Sequence, residues 1–240
     1  MNLILFELAE LSHPLPRADR RARHILDVLR RQVGDPFDAG VVDGPRGKAT
    51  LTAGSDDALT LTFSETSPRL PTIPITLIVG LPRPQTARDI LRDATTIGVG
   101  AIHFVRTEKS EASYAQSTLW SSGEWRRHLI AGAEQAFDTR LPDITHGRPL
   151  AEALATMPDD EATRLVLDNY ESPAALSDCH VIRDKPVVLA LGPERGWSAA
   201  EREIFRAHDF TLAHLGPRVL RTETAVTAAL ALVRTKLGLM

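Results

Sequence analysis

The sequence predicts an α/β protein in two parts, a small β-rich domain over residues 1–70 and a parallel α/β sheet over 73–240. Three observations carry this. From Ile75 onward, short apolar runs alternate with helical patterns, as in a parallel sheet with crossover helices. Before Ser67, several short strands accompany a single helix. Between the two lies Ser67-Pro68-Arg69-Leu70-Pro71-Thr72-Ile73-Pro74, whose prolines can continue neither a ladder nor a helix.

In the first part, residues 2–6 read as a strand and Pro14 and Pro16 mark a loop. Residues 18–32 read as a helix with Ile25, Leu26, Val28 and Leu29 on its apolar side, ended by Gly34 as the C′ residue. Its polar side carries Arg20, Arg21, Arg23, Arg30 and Arg31, with Arg17 just before. A solvated helix face is the usual fate of such a charge run, and the charges alone favour it; a phosphate-binding patch is the competing reading, because arginine binds phosphate in bidentate fashion. Strands follow at 37–42, 48–53 and 58–65, the last with clear alternation in Leu59-Thr60-Leu61-Thr62-Phe63. Short strands with one helix suggest a small β-barrel. Gly47-Lys48 is not a P-loop: Val42 and Ala49 stand where that motif needs glycine and Ser or Thr.

In the second part, strands are expected at 75–80, 101–105, 164–168 and 187–191, and helices at 85–97, 122–137 and 150–157. Two strand–turn–helix units close the chain. Val187-Val188-Leu189-Ala190-Leu191 is a buried strand that runs into Gly192-Pro193-Glu194-Arg195-Gly196-Trp197-Ser198, and Ser198 caps a helix over 199–205. The second unit passes through Leu215-Gly216-Pro217-Arg218-Val219-Leu220-Arg221-Thr222-Glu223-Thr224-Ala225 into an Ala/Leu/Val helix. Thr222 is the expected N-cap, Glu223 suits the positive end of the helix dipole, and Ala225, Ala228, Ala229 and Leu232 share a face that can pack closely. Loops of this kind lie at the carboxyl ends of strands, where open α/β sheets bind ligands.

Composition sets limits. With 240 residues, 43% hydrophobic and 25% charged, the profile is ordinarily globular. A net charge of −3 gives no bulk basic signal, so any nucleic-acid contact must use a local patch. Cys179 is the one cysteine, so no intrachain disulfide forms, which fits a reducing compartment. The N-terminus lacks a basic region before its short apolar run, unlike a signal peptide, and the longest apolar run, 225–233, is too short to span a bilayer. The eight histidines form no metal-ligand pattern, and no Gly-x-Gly-x-x-Gly follows a strand, so neither a metal centre nor a dinucleotide site is expected.

Leu-Gly-Pro-Arg-Val-Leu-Arg-Thr-Glu-Thr-Ala and Gly-Pro-Glu-x-Gly-Trp-Ser resemble the signature loops of the RsmE family of SPOUT-class methyltransferases. Weaker matches are Arg23-His24, Val28-Leu29-Arg30, Gly34-Asp35, Asp43-Gly44, Arg106-Thr107-Glu108-Lys109-Ser110, and Glu134-Gln135 with Arg140 and Pro142. Together they cover nearly the whole chain. The sequence departs from the family pattern at Arg195, where a glycine is usual, and at Arg92-Asp93-Ala94-Thr95-Thr96, where Lys and Glu are usual.

The resemblance implies an N-terminal PUA-like RNA-binding barrel, a C-terminal trefoil knot, and a cytoplasmic homodimer whose active site lies near the subunit interface. It implies N3-methylation of a uridine in 16S rRNA of the small ribosomal subunit, with S-adenosyl-L-methionine as cofactor and no metal. The implied cofactor pocket comprises Leu167, Leu191, Gly192, Gly196, Leu215, Gly216, Val219, Leu220, Thr222 and Ala225. The resemblance moves Arg17, Arg20, Arg21, Arg23 and Arg30 towards RNA binding. The uracil N3 proton must leave, so a base or an oxyanion stabiliser is needed. Arg221 suits the stabiliser, Arg218 a phosphate or uracil contact, and Glu194 a proton acceptor or a partner orienting Arg221. An Arg221–Glu194 pair that merely fixes the loops is the equal alternative.

Overall fold

The computed structural model describes residues 3–157 and 161–240, so Asn2, at the start of the expected first strand, lies outside the described residues. The chain divides into two compact units, Met1–Pro71 with Ala133–Leu141, and Thr72–Gly132 with Pro142–Met240.

The first unit holds a five-stranded sheet built from β1 (Ile4–Phe6), β2 (Leu15–Pro16), β3 (Pro36–Val41), β4 (Arg46–Gly54) and β5 (Ala58–Ser67), in the order β1-β3-β4-β5-β2. β1 runs parallel to β3 and the remaining pairs are antiparallel. Pro14 and Pro16 were expected in a loop, yet Leu15 and Pro16 pair with Leu59 and Ala58 at the sheet edge, where a residue without N–H is tolerated. Ile4, Phe6, Phe37, Ala39, Ala49, Leu51 and Leu59 make the core with Ala22 and Ile25.

The expected helix over 18–32 is shorter and irregular. α1 spans Arg20–Arg23, continues as a π-turn over His24–Val28, and ends before Arg30, which adopts a left-handed φ of 53°. The N–H of Arg31 closes the end on the carbonyl of Ile25. Gly34 is therefore not the C′ residue; it lies in the next turn and donates to Leu51 O. The start is fixed by Asp19, whose carboxylate accepts from Arg21 N.

The second unit holds a seven-stranded, wholly parallel sheet. Its strands are β6 (Ile73–Gly80), β7 (Val99–Arg106), β8 (Asp143–Pro149), β9 (Thr163–Leu167), β10 (Ala174–Ala175), β11 (Val187–Leu191) and β12 (Thr211–His214). Their order is β10-β12-β9-β11-β6-β7-β8. The helices are α2 (Pro84–Ile97), α3 (Thr118–Ser121), α4 (Glu124–Ala136, whose residues from Ala133 onward count in the first unit), α5 (Leu150–Ala155), α6 (Ala199–Ala207) and α7 (Thr222–Leu237). Every residue of β11 is buried, as a strand with both faces covered requires. On one face Val188 and Ala190 join Ile78, Val166 and Leu212 against Leu154, Trp197 and Phe205. α7 packs against β11 and α2.

The Ala/Leu/Val helix expected after the Gly-Pro turn forms over Thr222–Leu237. Thr222, Val226, Ala229, Leu230, Val233 and Leu237 are buried, whereas Ala225, Ala228 and Leu232 are only partly covered. Thr222 is not the N-cap. Arg221 holds that position with extended backbone, and Thr222 is the first helical residue. The buried stripe needs position 222 inside the helix, and that packing overrides the local preference for threonine at a cap.

Candidate active site

Strand register sets the site. Leu167 at the end of β9 lies beside Leu191 at the end of β11 and Ala213 near the end of β12, so three neighbouring strands finish level. Leu167 and Leu191 are the last residues of β9 and β11, the loops after β11 and β12 carry Gly192, Gly196, Leu215, Gly216, Val219 and Leu220, and Thr222 and Ala225 stand in the first turn of α7. Several bonds tie these loops together. Trp197 Nε1 donates to Leu167 O at 3.1 Å, Asp168 N to Ala213 O at 2.9 Å, and Gly216 N to His214 Nδ1 at 3.0 Å.

The Gly192–Ser198 loop is tightly folded. A Cβ at Gly192 would sit 3.0 Å from Gly196 Cα, so any side chain there would have to push the turn outward by a few tenths of an ångström. Gly216 is the opposite case. Its φ of 97° excludes ordinary side chains, yet a Cβ there would meet nothing within 4 Å, so open space lies against its backbone. Leu167, Leu215 and Leu220 are partly exposed beside these turns and Val219 is 82% exposed. Backbone turns with open space and unburied aliphatic groups suit a small ligand with polar and apolar parts, and S-adenosylmethionine is such a molecule.

Of the candidate catalytic residues, Arg218 and Arg221 are exposed and neither forms an ion pair among the described residues. The Arg221–Glu194 pair, one of the two alternatives the sequence left open, does not form. Glu194 Oε1 instead accepts from Arg83 N at 3.0 Å and Arg83 Nε at 3.4 Å. Arg83 precedes Pro84 at the start of α2, so Glu194 reaches the loop that follows β6 rather than the arginine loop.

A second layer fixes the loops. Ser198 and Glu201 form a capping box at the start of α6, as the sequence indicates for Ser198. Buried Glu201 does more: Oε2 accepts from Ser198 N and Oε1 accepts from Glu108 N, both at 2.8 Å. Lys109 Nζ donates to Trp197 O at 2.8 Å. Residues 107–110 are thus bound to the loop after β11. Asp168, 4% exposed, accepts from Tyr170 N and Glu171 N and pairs with buried Arg202 at 2.8 Å. The sequence reading missed Asp168, Arg202, Glu201 and Arg83. Asp168 just after a strand was the available signal, as a residue type that closes a turn on its own backbone. Arg202 looks like one more surface charge on a polar helix.

The candidate RNA contacts separate in the first unit. Arg17, Arg20, Arg23 and Arg30 are exposed; Arg17 donates to Ser55 O, and Arg20 lies 3.6 Å from Glu134. Arg21 does not belong with them. Its guanidinium binds Glu10, Asp19 and Leu5 O and lies 4.9 Å from the Phe6 ring centre. With its N–H groups engaged it has nothing left for phosphate.

Among the described residues no helix is long and apolar enough to cross a membrane, and no group of three or more His, Cys, Asp or Glu is placed to hold a metal.

A family model described as an RNA methyltransferase domain matches residues 68–234. A relative from Treponema pallidum, ribosomal RNA small subunit methyltransferase E, is 36% identical over 97% of this chain and 90% of its own length. One from Borreliella burgdorferi, ribosomal RNA small subunit methyltransferase E 1, is 27% identical over 99% of both. The crystal structure of a Neisseria gonorrhoeae ribosomal RNA small subunit methyltransferase E bound to S-adenosyl methionine is 28% identical. It matches with a TM-score of 0.77 over 98% of this chain and 97% of that one.

Proposed function

We propose that this chain, which belongs to the ribosomal RNA small subunit methyltransferase E family, transfers a methyl group from S-adenosylmethionine to N3 of a uridine in the 16S RNA of the small ribosomal subunit. The observation that carries the reading is the level ending of β9, β11 and β12, the last two running into loops of glycine, proline and arginine.

Bound S-adenosylmethionine would supply a methyl group already activated on a sulfonium. The turns around Leu167, Leu191, Gly192, Gly196, Leu215, Gly216, Val219 and Leu220 would hold it, with Thr222 and Ala225 at the start of α7. The protein's remaining work is orientation, exclusion of water and handling of one proton. As the uracil N3 proton leaves, negative charge spreads to the neighbouring carbonyl oxygens. Arg221, exposed and without an ion-pair partner among the described residues, stands at the start of α7 and is free to hydrogen-bond them. Arg218 is free to hold a phosphate or the uracil itself. Glu194 uses one carboxylate oxygen on Arg83 and keeps the other as a proton acceptor.

The same family reading supplies a trefoil knot in the second unit and a PUA-like barrel in the first. The insertion of β11 between β6 and β9 and the packing of α7 on α2 support the knot; the five-stranded order of the first sheet supports the barrel. It also supplies a homodimer in the cytoplasm, for which the partly covered Ala225, Ala228 and Leu232 stripe is suited.

Calorimetry on the intact protein should show S-adenosylmethionine uptake without added metal, and Gly216→Val should abolish it. Mass-spectrometric mapping of ribosomal RNA from cells lacking the chain should show one unmethylated uridine. Loss of a modification elsewhere would give a different target, and an unchanged RNA with no cofactor uptake would leave a silent RNA-binding factor. Light scattering should give twice the chain mass.

A further inference from the structure

Tyr170 stands two residues past buried Asp168 in the loop after β9, and 75% of it is exposed. A single exposed aromatic is ordinary by itself, and what distinguishes this one is how it is held. Its N–H donates to Asp168 Oδ1 at 2.9 Å, and the guanidinium carbon of Arg202 lies 5.2 Å from its ring centre. Arg202 is itself anchored by Asp168 at 2.8 Å and Glu171 at 3.2 Å. One ring face is therefore backed by a fixed cation while the ring as a whole stays open to solvent. A methyl at Gly196, in the loop after β11, would lie 3.7 Å from Tyr170 Cε2, so the ring borders the proposed cofactor loops.

We infer that Tyr170 is a stacking platform for a nucleobase at this site. The inference rests on the functional reading above. A flat aromatic surface held by its own neighbours loses little freedom when a planar ring settles on it, and base–aromatic stacking tolerates any base because each has a π-face. A ring backed by a guanidinium suits this use, since the cation fixes the ring without covering its other face. Two bases come to such a site, the adenine of S-adenosylmethionine and a base of the RNA, and both offer the same chemistry.

Dissociation constants for S-adenosylmethionine, by calorimetry, and for a single-stranded RNA oligonucleotide, by fluorescence anisotropy, would be measured on wild type, Tyr170→Ala and Tyr170→Phe. Tyr170→Ala should weaken one of the two by about 5- to 150-fold, the range that stacking on one aromatic ring gives. Tyr170→Phe should restore it, because the hydroxyl takes no part. Loss confined to the cofactor assigns the adenine, and loss confined to the RNA assigns a target base. Wild-type values for both ligands in Tyr170→Ala would overturn the stacking role alone. A wild-type protein that takes up no S-adenosylmethionine would overturn the reading of the site and the platform with it.

Discussion

The guanidinium of Arg21 uses all its N–H groups inside the first unit, on Glu10, Asp19 and the carbonyl of Leu5. The side chain is only 14% exposed. Hydrogen bonds to Arg21 hold the carboxyls of Glu10 and Asp19 below their ordinary values. Arg221, at the opposite end of the sequence, is exposed and has no carboxylate partner among the described residues. Opposite mutational signatures follow. Arg21→Ala should lower unfolding free energy by about 1.5–3 kcal/mol, the scale of hydrogen bonds to charged groups, and leave turnover per folded molecule alone. The loss should be largest near neutral pH. A depressed folded-state carboxyl stabilises above its unfolded value and stops doing so as pH falls through its folded value. The gap between wild type and Arg21→Ala in denaturant melts should therefore close below about pH 4. Arg221→Ala should instead keep stability and cofactor affinity while slowing single-turnover methylation by roughly a hundredfold or more. A normal rate would remove Arg221 from the reaction.

At the scale of elements, what local chemistry decides was legible. β11 is a run of five apolar residues and appears where expected, and Ser198 with Glu201 forms the capping box of α6. The end of α1 was not legible, because a π-turn let Arg30 take the left-handed position that Gly34 was expected to hold. Thr222 failed as a cap because the buried stripe of α7 begins with it. β2 and β10 are two residues each, too short for any period to show. The candidate loops were found by motif, but the carboxylates that hold them were not, because their partners lie far away in sequence. Glu201 is the sharpest case, joining Glu108 across 93 positions. Ser198→Ala should cost about 1 kcal/mol, an ordinary cap. Glu201→Ala should cost clearly more, about 2 kcal/mol or above, since two enclosed N–H donors each lose an acceptor. Denaturant midpoints at unchanged m-value would measure both. Equal costs would mean that the bond to Glu108 contributes nothing.

At the scale of the whole molecule, the charge of −3 means that no long-range field draws RNA in. Any affinity for a polyanion must come from local cations whose carboxylate neighbours leave them free. Arg17, Arg23 and Arg30 meet that condition in the first unit, Arg20 lies 3.6 Å from Glu134 yet keeps 59% of its side chain exposed, and Arg21 does not meet it. Each phosphate neutralised on single-stranded RNA adds about 0.7 to the slope of log affinity against log salt. Replacing Arg17, Arg20 and Arg23 together by glutamine should therefore flatten that slope by roughly 2 and weaken RNA binding. Cofactor affinity should stay put, because the residues proposed to hold the cofactor all belong to the second unit. Arg21→Ala, assayed where it remains folded, should leave the slope unchanged, which separates loss of a phosphate contact from loss of a charge. Titrations of a ribosomal RNA fragment at several salt concentrations decide the matter. A triple variant with the wild-type slope would return this helix to a solvated face and shift the search for the RNA surface to Arg83, Arg218 and Arg221.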